Sequence, residues 1–224
     1  MPVYNGDHFI EAAVQSILNQ TFKDFEFLIL NDGSNDKTLE IINEYEQKDK
    51  RIKIINQSNA GLTKSLNTCI NLSQGSYIAR QDADDKSAPT RLEKQLEILT
   101  INNFEFCCTR TYVEEKKIIS PRYLFYLPYK IALLFQNPFI HGSWMFSRNI
   151  IKKIGFYDES IKYAQDYDYI SRVIYSNIKV KYLKDYLYYT GVNSNKISVS
   201  KKEKQRFFAK KIRLENKHRF FNFM

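Results

Sequence analysis

The sequence predicts an α/β fold in which helices flank a mainly parallel sheet. In the first hundred residues, short apolar runs alternate with helical patterns of ten or more residues, as in the crossover units of parallel sheets. The chain has 224 residues, 43% of them apolar and 26% charged, which is the size and composition of one soluble globular domain. Two large independent domains and a disordered chain are therefore excluded.

The elements of the first half follow from the spacing of their apolar residues. A helical spacing over residues 9–18 precedes an apolar strand at 25–30, which ends in a turn of sequence NDGS. The same alternation predicts a helix around 39–45, a strand at 51–55, a helix at 62–72, a strand at 76–80 and a helix around 92–99.

The second half is more varied and contains no internal repeat. We predict strands at 104–113, 143–148 and 180–183 and a helix at 166–176, with an unassigned aromatic stretch at 121–138. The whole of 1–200 forms one domain in this interpretation. Residues 1–100 bind one ligand, residues 101–200 present another, and residues 201–224 are a basic aromatic tail.

Positive charge is concentrated in the tail. The chain carries a net charge of +9, and residues 201–224 hold +7 of it. The body therefore presents no basic surface for nucleic acid, and we expect no nucleic-acid partner. The tail also holds five phenylalanines. It either contacts anionic lipid headgroups or forms a solvated, frayed helix, and both interpretations stay open.

No segment predicts a membrane crossing or export. The longest candidate, residues 124–135, falls short of the roughly twenty apolar residues that a transmembrane helix needs. No secretory signal precedes the first motif. We therefore expect a cytoplasmic protein, with residues 201–224 as the contact for a peripheral position at the inner face of the cell membrane.

Two predicted strands end in acidic loops, at the sheet edge where ligands collect in such folds. The Asp32 carboxylate could accept a hydrogen bond from a nucleobase or a ribose, or could belong to a plain Asp-Gly turn. Asp82, Asp84 and Asp85 repel one another, which a hard cation such as Mg²⁺ or Mn²⁺ would offset. The alternative is an acidic surface turn.

A third acidic residue, Asp166, stands at a predicted helix start. It could cap that helix by accepting a bond from a free backbone N–H. It could instead serve as a general base, in which case its oxygen faces an acceptor hydroxyl.

Six blocks of the sequence resemble, in order, the motifs of glycosyltransferase family 2. They are residues 1–6 (MPVYNG), 16–22 (SILNQTF), 31–34 (NDGS), 82–85 (DADD), 91–95 (RLEKQ) and 165–168 (QDYD). The resemblance covers residues 1 to about 200 and is strongest through residue 95. It implies an A-type glycosyltransferase fold with a Rossmann-like sheet, a nucleotide-sugar donor, and transfer to an acceptor with inversion at the anomeric carbon.

The resemblance assigns donor-binding roles to the first strand ends. Asp32 matches the carboxylate that contacts the base, and Pro2, Val3 and Tyr4 match the strand-end segment beside it.

The resemblance also implies a divalent metal, Mg²⁺ or Mn²⁺, and a catalytic base. Asp82 and Asp84 match the DxD motif, in which Asp82 contacts the donor and Asp84 is the more direct metal ligand. Asp166 matches the base. His141 and Trp144 align with a segment near the acceptor and the diphosphate, although a buried histidine and a core tryptophan are the favoured interpretations.

Two departures from the family bear on the fold and on the site. Relatives have extended apolar residues before the first motif, so either the start is misassigned or the sheet lacks a strand from its middle. Relatives also often carry an arginine and a histidine where Gly191 and Asn193 stand, and Lys196 is the candidate substitute.

The leading hypothesis is an enzyme that moves a sugar from a nucleotide-diphosphate donor, of the UDP type, to a saccharide or lipid-linked acceptor in surface polysaccharide biosynthesis. The alternative is a truncated, weakly active or inactive member that keeps the fold as a binding module. A nucleotidyltransferase is disfavoured because no glycine-rich basic loop stands near the start.

Overall fold

The computed structural model describes residues 1–191 and 202–222, which form two sheets with helices packed against them. The strands are β1 (Pro2–Val3), β2 (Phe27–Asn31), β3 (Ile52–Asn56), β4 (Tyr77–Ala79), β5 (Asp85–Ser87), β6 (Phe106–Val113), β7 (Ile118–Ser120), β8 (Met145–Ser147) and β9 (Val180–Thr190). The helices are α1 (Ile10–Leu18), α2 (Thr38–Lys48), α3 (Leu62–Leu72), α4 (Arg91–Ile101), α5 (Tyr129–Ala132), α6 (Asn149–Ile154), α7 (Gln165–Tyr175) and α8 (Lys202–Asn222).

The first sheet is parallel and has the order β1-β2-β3. The second has the order β4-β8-β6-β9-β5, with β7 paired to β6. In the second sheet β6 and β9 are parallel, whereas the other pairs are antiparallel. Helical crossovers α1 and α2 join the strands of the first sheet and make them parallel, while the short link between β6 and β7 allows an antiparallel hairpin.

Strand β1 is two residues long. Pro2 lies opposite Leu30 and Val3 opposite Asn31, so β1 covers the end of β2 and not its beginning. A cavity of about 680 Å³ lies beside the uncovered part, and Leu28 of β2 and Ile78 of β4 are among its lining residues. Between β2 and β4 the two sheets are therefore separated by this cavity, and no continuous strand joins them.

Two apolar clusters make up most of the core. The first lies between β1–β3 and α1 and is centred on the fully buried Ile10, Val14 and Ile29. Ala83 of the acidic loop packs into this cluster, which brings that loop beside β1. The second cluster is rich in aromatic side chains and surrounds Phe106 of the second sheet.

The second half contains elements that apolar spacing did not predict. The aromatic stretch 121–138 holds a short 3₁₀ turn and α5. Strand β9 continues to Thr190 because it pairs with β6 on one side and with β5 on the other. Strand β5 begins at Asp85, inside the acidic loop. At these positions the backbone hydrogen bonds between strands determine the structure, although the side chains are polar.

The basic tail forms α8, which is anchored to the body. Ile212 and Asn216 are buried, and Asn216 Nδ2 donates to the Leu133 carbonyl at 3.3 Å and to Ser171 Oγ at 2.9 Å. A frayed, solvated helix therefore does not describe this segment. The domain boundary at residue 200 stays a prediction, since residues 192–201 lie outside the described part. Within residues 1–191 and 202–222, no helix combines the length and apolar content that a membrane crossing requires.

Candidate active site

Asp32 follows β2 and holds the loop after β3. Its carboxylate accepts hydrogen bonds from Gln57 Nε2 at 2.7 Å and from the backbone N–H groups of Ala60 and Gly61 at 2.9 Å each. Its own N–H donates to the Val3 carbonyl at 2.8 Å. The side chain is almost completely buried. A plain Asp-Gly turn does not account for three donors that converge on one carboxylate.

The strand-end segment beside Asp32 presents one side chain to solvent. Pro2 and Val3 are buried, whereas Tyr4 is 49% exposed. The next residue, Asn5, receives a hydrogen bond on its side-chain oxygen from the Asn35 N–H at 2.9 Å. Pro2 and Val3 therefore fix the backbone, and Tyr4 is the member of the predicted trio that can contact a ligand.

Uncharged side chains hold the acidic loop after β4, residues 82–85, which is called the acidic turn below. Gln81 Nε2 donates to the carbonyls of Asp82 at 3.0 Å and of Asp85 at 2.8 Å, while Ser87 Oγ donates to Gln81 Oε1 at 2.7 Å. The Asp82 N–H donates to Tyr188 Oη at 3.0 Å. The backbone of this turn is thus fixed before any ligand binds.

A buried arginine pairs with the first carboxylate of the turn. Arg80 Nη2 donates to Asp82 Oδ1 at 2.6 Å, and Arg80 is buried. Arg91 is fully buried and donates to the carbonyls of Arg80 and Gly142 at 2.9 Å each, and burial lowers its pKa to about 10. The RLEKQ block therefore has a structural role: it joins the end of β4 to the turn at residues 141–143.

Gly142 gives the first carboxylate its space. A β-carbon at Gly142 would overlap the Tyr188 hydroxyl and lie 2.6 Å from Asp82 Oδ2. A side chain at this position would therefore displace Tyr188, Asp82 or both.

Gly191 gives space to the backbone carbonyl of Asp84. A β-carbon there would overlap the Asp84 carbonyl, and the Gly191 N–H donates to Asp85 Oδ1 at 3.0 Å. The glycine that stands near the expected cationic residue thus supports the acidic turn. Asn193 and Lys196 lie outside the described residues.

Asp166 is the second residue of α7 and does not cap it. The residue before the helix is Ala164, with a φ of 59°, so the N-cap interpretation is wrong. Asp166 Oδ2 accepts a hydrogen bond from Asn137 Nδ2 at 2.7 Å. Burial raises the pKa of Asp166, and the negative charge of Asp82 raises it further.

His141 and Trp144 lie on either side of the segment at Gly142, which packs against the Asp82 carboxylate. His141 Nε2 and Tyr157 Oη are 2.9 Å apart, and the rings of His141 and Trp144 have centroids 4.6 Å apart. Burial, with the nearby Arg80 charge, lowers the pKa of His141 to about 3, so it is neutral at physiological pH. Trp144 is fully buried and has no surface for an acceptor.

The carboxylates suit a divalent cation that is completed by a phosphate. Among the described residues, no group of three or more His, Cys, Asp or Glu side chains surrounds one position. Mg²⁺ is commonly held by one or two carboxylates together with water and substrate phosphates. Asp82 and Asp84 supply that number, and the resemblance to the family makes Asp84 the more direct candidate ligand.

Three residues of the site were not found from the sequence. Arg80 carried a signal, since a charged residue that ends an apolar strand needs a partner. Asn137 and Tyr188 carried none. Tyr188 is 106 positions from the N–H that it binds, and this contact depends on the pairing of β9 with β5.

Residues 1–155 match the sequence model of the family Glycosyl transferase family 2. The chain belongs to glycosyltransferase family 2. An uncharacterized glycosyltransferase of Methanocaldococcus jannaschii is 35% identical over 99% of this chain and 80% of its own length. The O-antigen biosynthesis glycosyltransferase WbnJ of Escherichia coli is 33% identical over 78% of this chain and 70% of its own length. The family 2 chain spans about half the length of several other curated relatives that it matches.

Solved structures share the fold at low sequence identity. Staphylococcus aureus TarS, residues 1–349 in complex with UDP-GlcNAc, has a TM-score of 0.78 at 19% identity over 99% of this chain and 71% of the TarS chain. The mannosyltransferase PcManGT of Pyrobaculum calidifontis, in complex with GDP-Man and Mn²⁺, has a TM-score of 0.68 at 16% identity over 87% of this chain and 56% of its own. The predicted A-type glycosyltransferase fold is confirmed.

Proposed function

We propose that this family 2 chain is a metal-dependent, inverting glycosyltransferase that uses a nucleotide-diphosphate sugar, of the UDP type. The observation that carries the proposal is the acidic turn after β4, which Arg80, Gln81 and Tyr188 hold in place before any ligand binds. One group of carboxylates suits a diphosphate with its cation, and the other suits a hydroxyl that must lose a proton. TarS and PcManGT, which share the fold, were solved with UDP-GlcNAc and with GDP-Man and Mn²⁺.

The donor nucleotide binds at the ends of β1 and β2 in this proposal. The exposed ring of Tyr4 supplies an aromatic surface for a base. Asp32 orders the loop at residues 57–61 through its three accepted hydrogen bonds and accepts from the nucleotide with the lone pair that remains on Oδ2.

The diphosphate lies at the acidic turn. Asp84, assisted by Asp82, would hold an Mg²⁺ or Mn²⁺ ion there. When bound, such a cation neutralises the negative charge that develops on the departing nucleoside diphosphate. Arg80 fixes the Asp82 carboxylate through a hydrogen bond. Gly191 has no β-carbon, so the Asp84 carbonyl can lie close to the Gly191 backbone. These contacts pre-organise the turn, so binding of the donor does not have to order it.

Asp166 takes the proton from the acceptor hydroxyl. Its raised pKa makes the carboxylate a better proton acceptor than an ordinary aspartate, and Asn137 orients it through Oδ2. Attack from the side opposite the departing diphosphate inverts the configuration at the anomeric carbon.

The acceptor is a saccharide or a lipid-linked saccharide in surface polysaccharide biosynthesis, which is consistent with the O-antigen biosynthesis role of the Escherichia coli relative WbnJ. The outer surface of α8 supports a position on the inner face of the membrane. Phe207, Leu214 and Phe221 are exposed at intervals of seven residues, and Lys210 and Lys217 are exposed near them. This combination suits an anionic lipid surface.

Calorimetric titration with UDP and GDP, with and without Mn²⁺, tests the proposal. We expect Mn²⁺-dependent binding of one nucleotide, and loss of that dependence in Asp84→Asn. Asp185→Asn is the matched control, because Asp185 pairs with Lys94 at the surface, away from the acidic turn. Absence of binding at millimolar nucleotide would refute the donor assignment. Binding without sugar transfer to any offered acceptor would favour the binding-module alternative.

A further inference from the structure

Helix α8 forms one wall of a cavity of about 420 Å³ that opens beside Asp166. Residues 135–137 contribute to the lining, and α7 contributes Asp166 and Tyr167. A volume of this size is within the range of small-molecule sites. The cavity therefore adjoins the proposed base.

The α8 wall of this cavity is cationic. Three of its side chains there carry positive charge, and Asp166 is the one carboxylate among the described lining residues. The acidic residues of α8 are elsewhere, and Glu215 lies 4.0 Å from Arg219. The α8 residues that line the cavity are Lys202, Gln205, Arg206, Ala209 and Arg213.

The cations are presented by an anchored element. Ile212 and Asn216 are buried on the inner face of α8, and Phe208 packs against the aromatic core. Arg213 Nη1 donates to the Phe135 carbonyl at 3.2 Å. An arginine has five N–H donors, so this contact leaves others for a ligand.

Three like charges on one wall repel one another, and an anionic ligand relieves that repulsion. Guanidinium groups match the geometry of phosphate oxygens through paired hydrogen bonds, and lysine adds a point charge. A neutral saccharide would gain little from such a wall. The lining therefore favours an acceptor that carries negative charge near its reactive hydroxyl.

We propose that this cavity binds a phosphate or pyrophosphate group of the acceptor through Lys202, Arg206 and Arg213. The inference rests on the proposed function, because it takes Asp166 as the group that receives the acceptor hydroxyl. The reactive hydroxyl then lies at Asp166 and the phosphate lies along α8. The group belongs either to a soluble phosphorylated saccharide or to a prenyl-pyrophosphate lipid.

Calorimetry with inorganic pyrophosphate in EDTA tests the cavity, since EDTA removes the cation through which the donor site would take the probe. The test variant is Lys202→Gln with Arg206→Gln. The control is Lys210→Gln with Lys217→Gln, which removes the same charge from exposed positions of α8 that do not line the cavity. We expect at least tenfold weaker binding in the test variant and a change below twofold in the control.

Equal weakening in both variants, or no binding to the unmodified protein, would overturn the proposal. Arg213→Lys is a second test, because it keeps the charge and removes the paired donors. It should weaken pyrophosphate binding severalfold, and unchanged affinity would count against the cavity.

Geranyl pyrophosphate distinguishes a lipid acceptor from a soluble phosphorylated saccharide. Binding tenfold tighter than pyrophosphate supports the lipid, and equal binding supports a soluble phosphate.

Titration of the same variants with UDP and Mn²⁺ separates this inference from the proposed function. A protein that binds pyrophosphate in the cavity but not UDP with Mn²⁺ contradicts the proposed function and keeps the anion site. A protein that binds UDP with Mn²⁺ but shows no cavity-dependent pyrophosphate binding contradicts the anion site alone.

Discussion

Asp32→Asn should destabilise the protein even when no nucleotide is present. Asparagine has nearly the same shape as aspartate, so the substitution changes hydrogen bonding and charge without a change of volume. The Asp32 carboxylate receives two donors on Oδ1, from Gln57 and Ala60, and one on Oδ2, from Gly61. An asparagine that keeps its oxygen at the Oδ1 position places its NH₂ group against the Gly61 N–H.

The size of the effect follows from the lost contact. A hydrogen bond to a charged group contributes about 1.5–3 kcal/mol, and here one such bond is replaced by two donors that face each other. We expect a loss of about 2 kcal/mol in the free energy of unfolding. For a chain of this length that corresponds to a fall of roughly 4–8 °C in Tm.

Urea denaturation and thermal unfolding without nucleotide measure the loss, and Asp185→Asn is the control. The side chain of Asp185 is 55% exposed and pairs with Lys94 at the surface, so its substitution should change stability by less than about 1 kcal/mol. Asp32→Asn should also disorder the loop at residues 57–61 and thereby weaken UDP binding by at least tenfold. An Asp32→Asn protein as stable as the unmodified one would refute the loop-holding role, whatever happens to UDP binding.

Further substitutions test other parts of the site. Asp166→Asn should lower sugar transfer about a hundredfold or more while UDP affinity is kept; unchanged turnover would dismiss Asp166 as the base. Because burial raises the pKa of Asp166, its charged form is disfavoured in the folded state, so the same variant should be more stable than the unmodified protein at pH 7, with the gain lost below about pH 4 in urea denaturation. Gly191→Ala should displace the Asp84 backbone and weaken Mn²⁺-dependent UDP binding at least tenfold by calorimetry, and normal affinity would show that the close approach is unimportant. Arg80→Met should destabilise the protein by about 3 kcal/mol, measured by thermal unfolding, because it leaves Asp82 without its buried partner.

The first half of the fold could be predicted because its apolar spacing and its pairing agree. Helix α3 begins and ends where the spacing predicts, at Leu62 and Leu72, and β3 is displaced by a single residue. The second half could not be predicted equally well. Strand β9 contains polar residues over much of its length and is defined by its partners β6 and β5, which local sequence does not encode.

The acidic residues of the site could be identified from the sequence, but their surroundings could not. The positions of Asp32, Asp82 and Asp166 at the ends of strands and at a helix start are visible as local patterns. The hydrogen-bond partners of the carboxylates come from segments that are distant in sequence. Asn137, which donates to Asp166, is 29 positions away from it. The anchoring of α8 was also missed, because its inner face mixes Ile212 with the polar Asn216.

Anomalous diffraction from crystals grown with UDP and Mn²⁺ tests the central claim most directly. The account predicts one strong manganese peak bonded to the Asp84 carboxylate, with the diphosphate between that peak and the side of the cleft that holds Asp166. A manganese peak on another face of the protein, or a diphosphate too far from Asp166 for one sugar to reach both, would contradict the account.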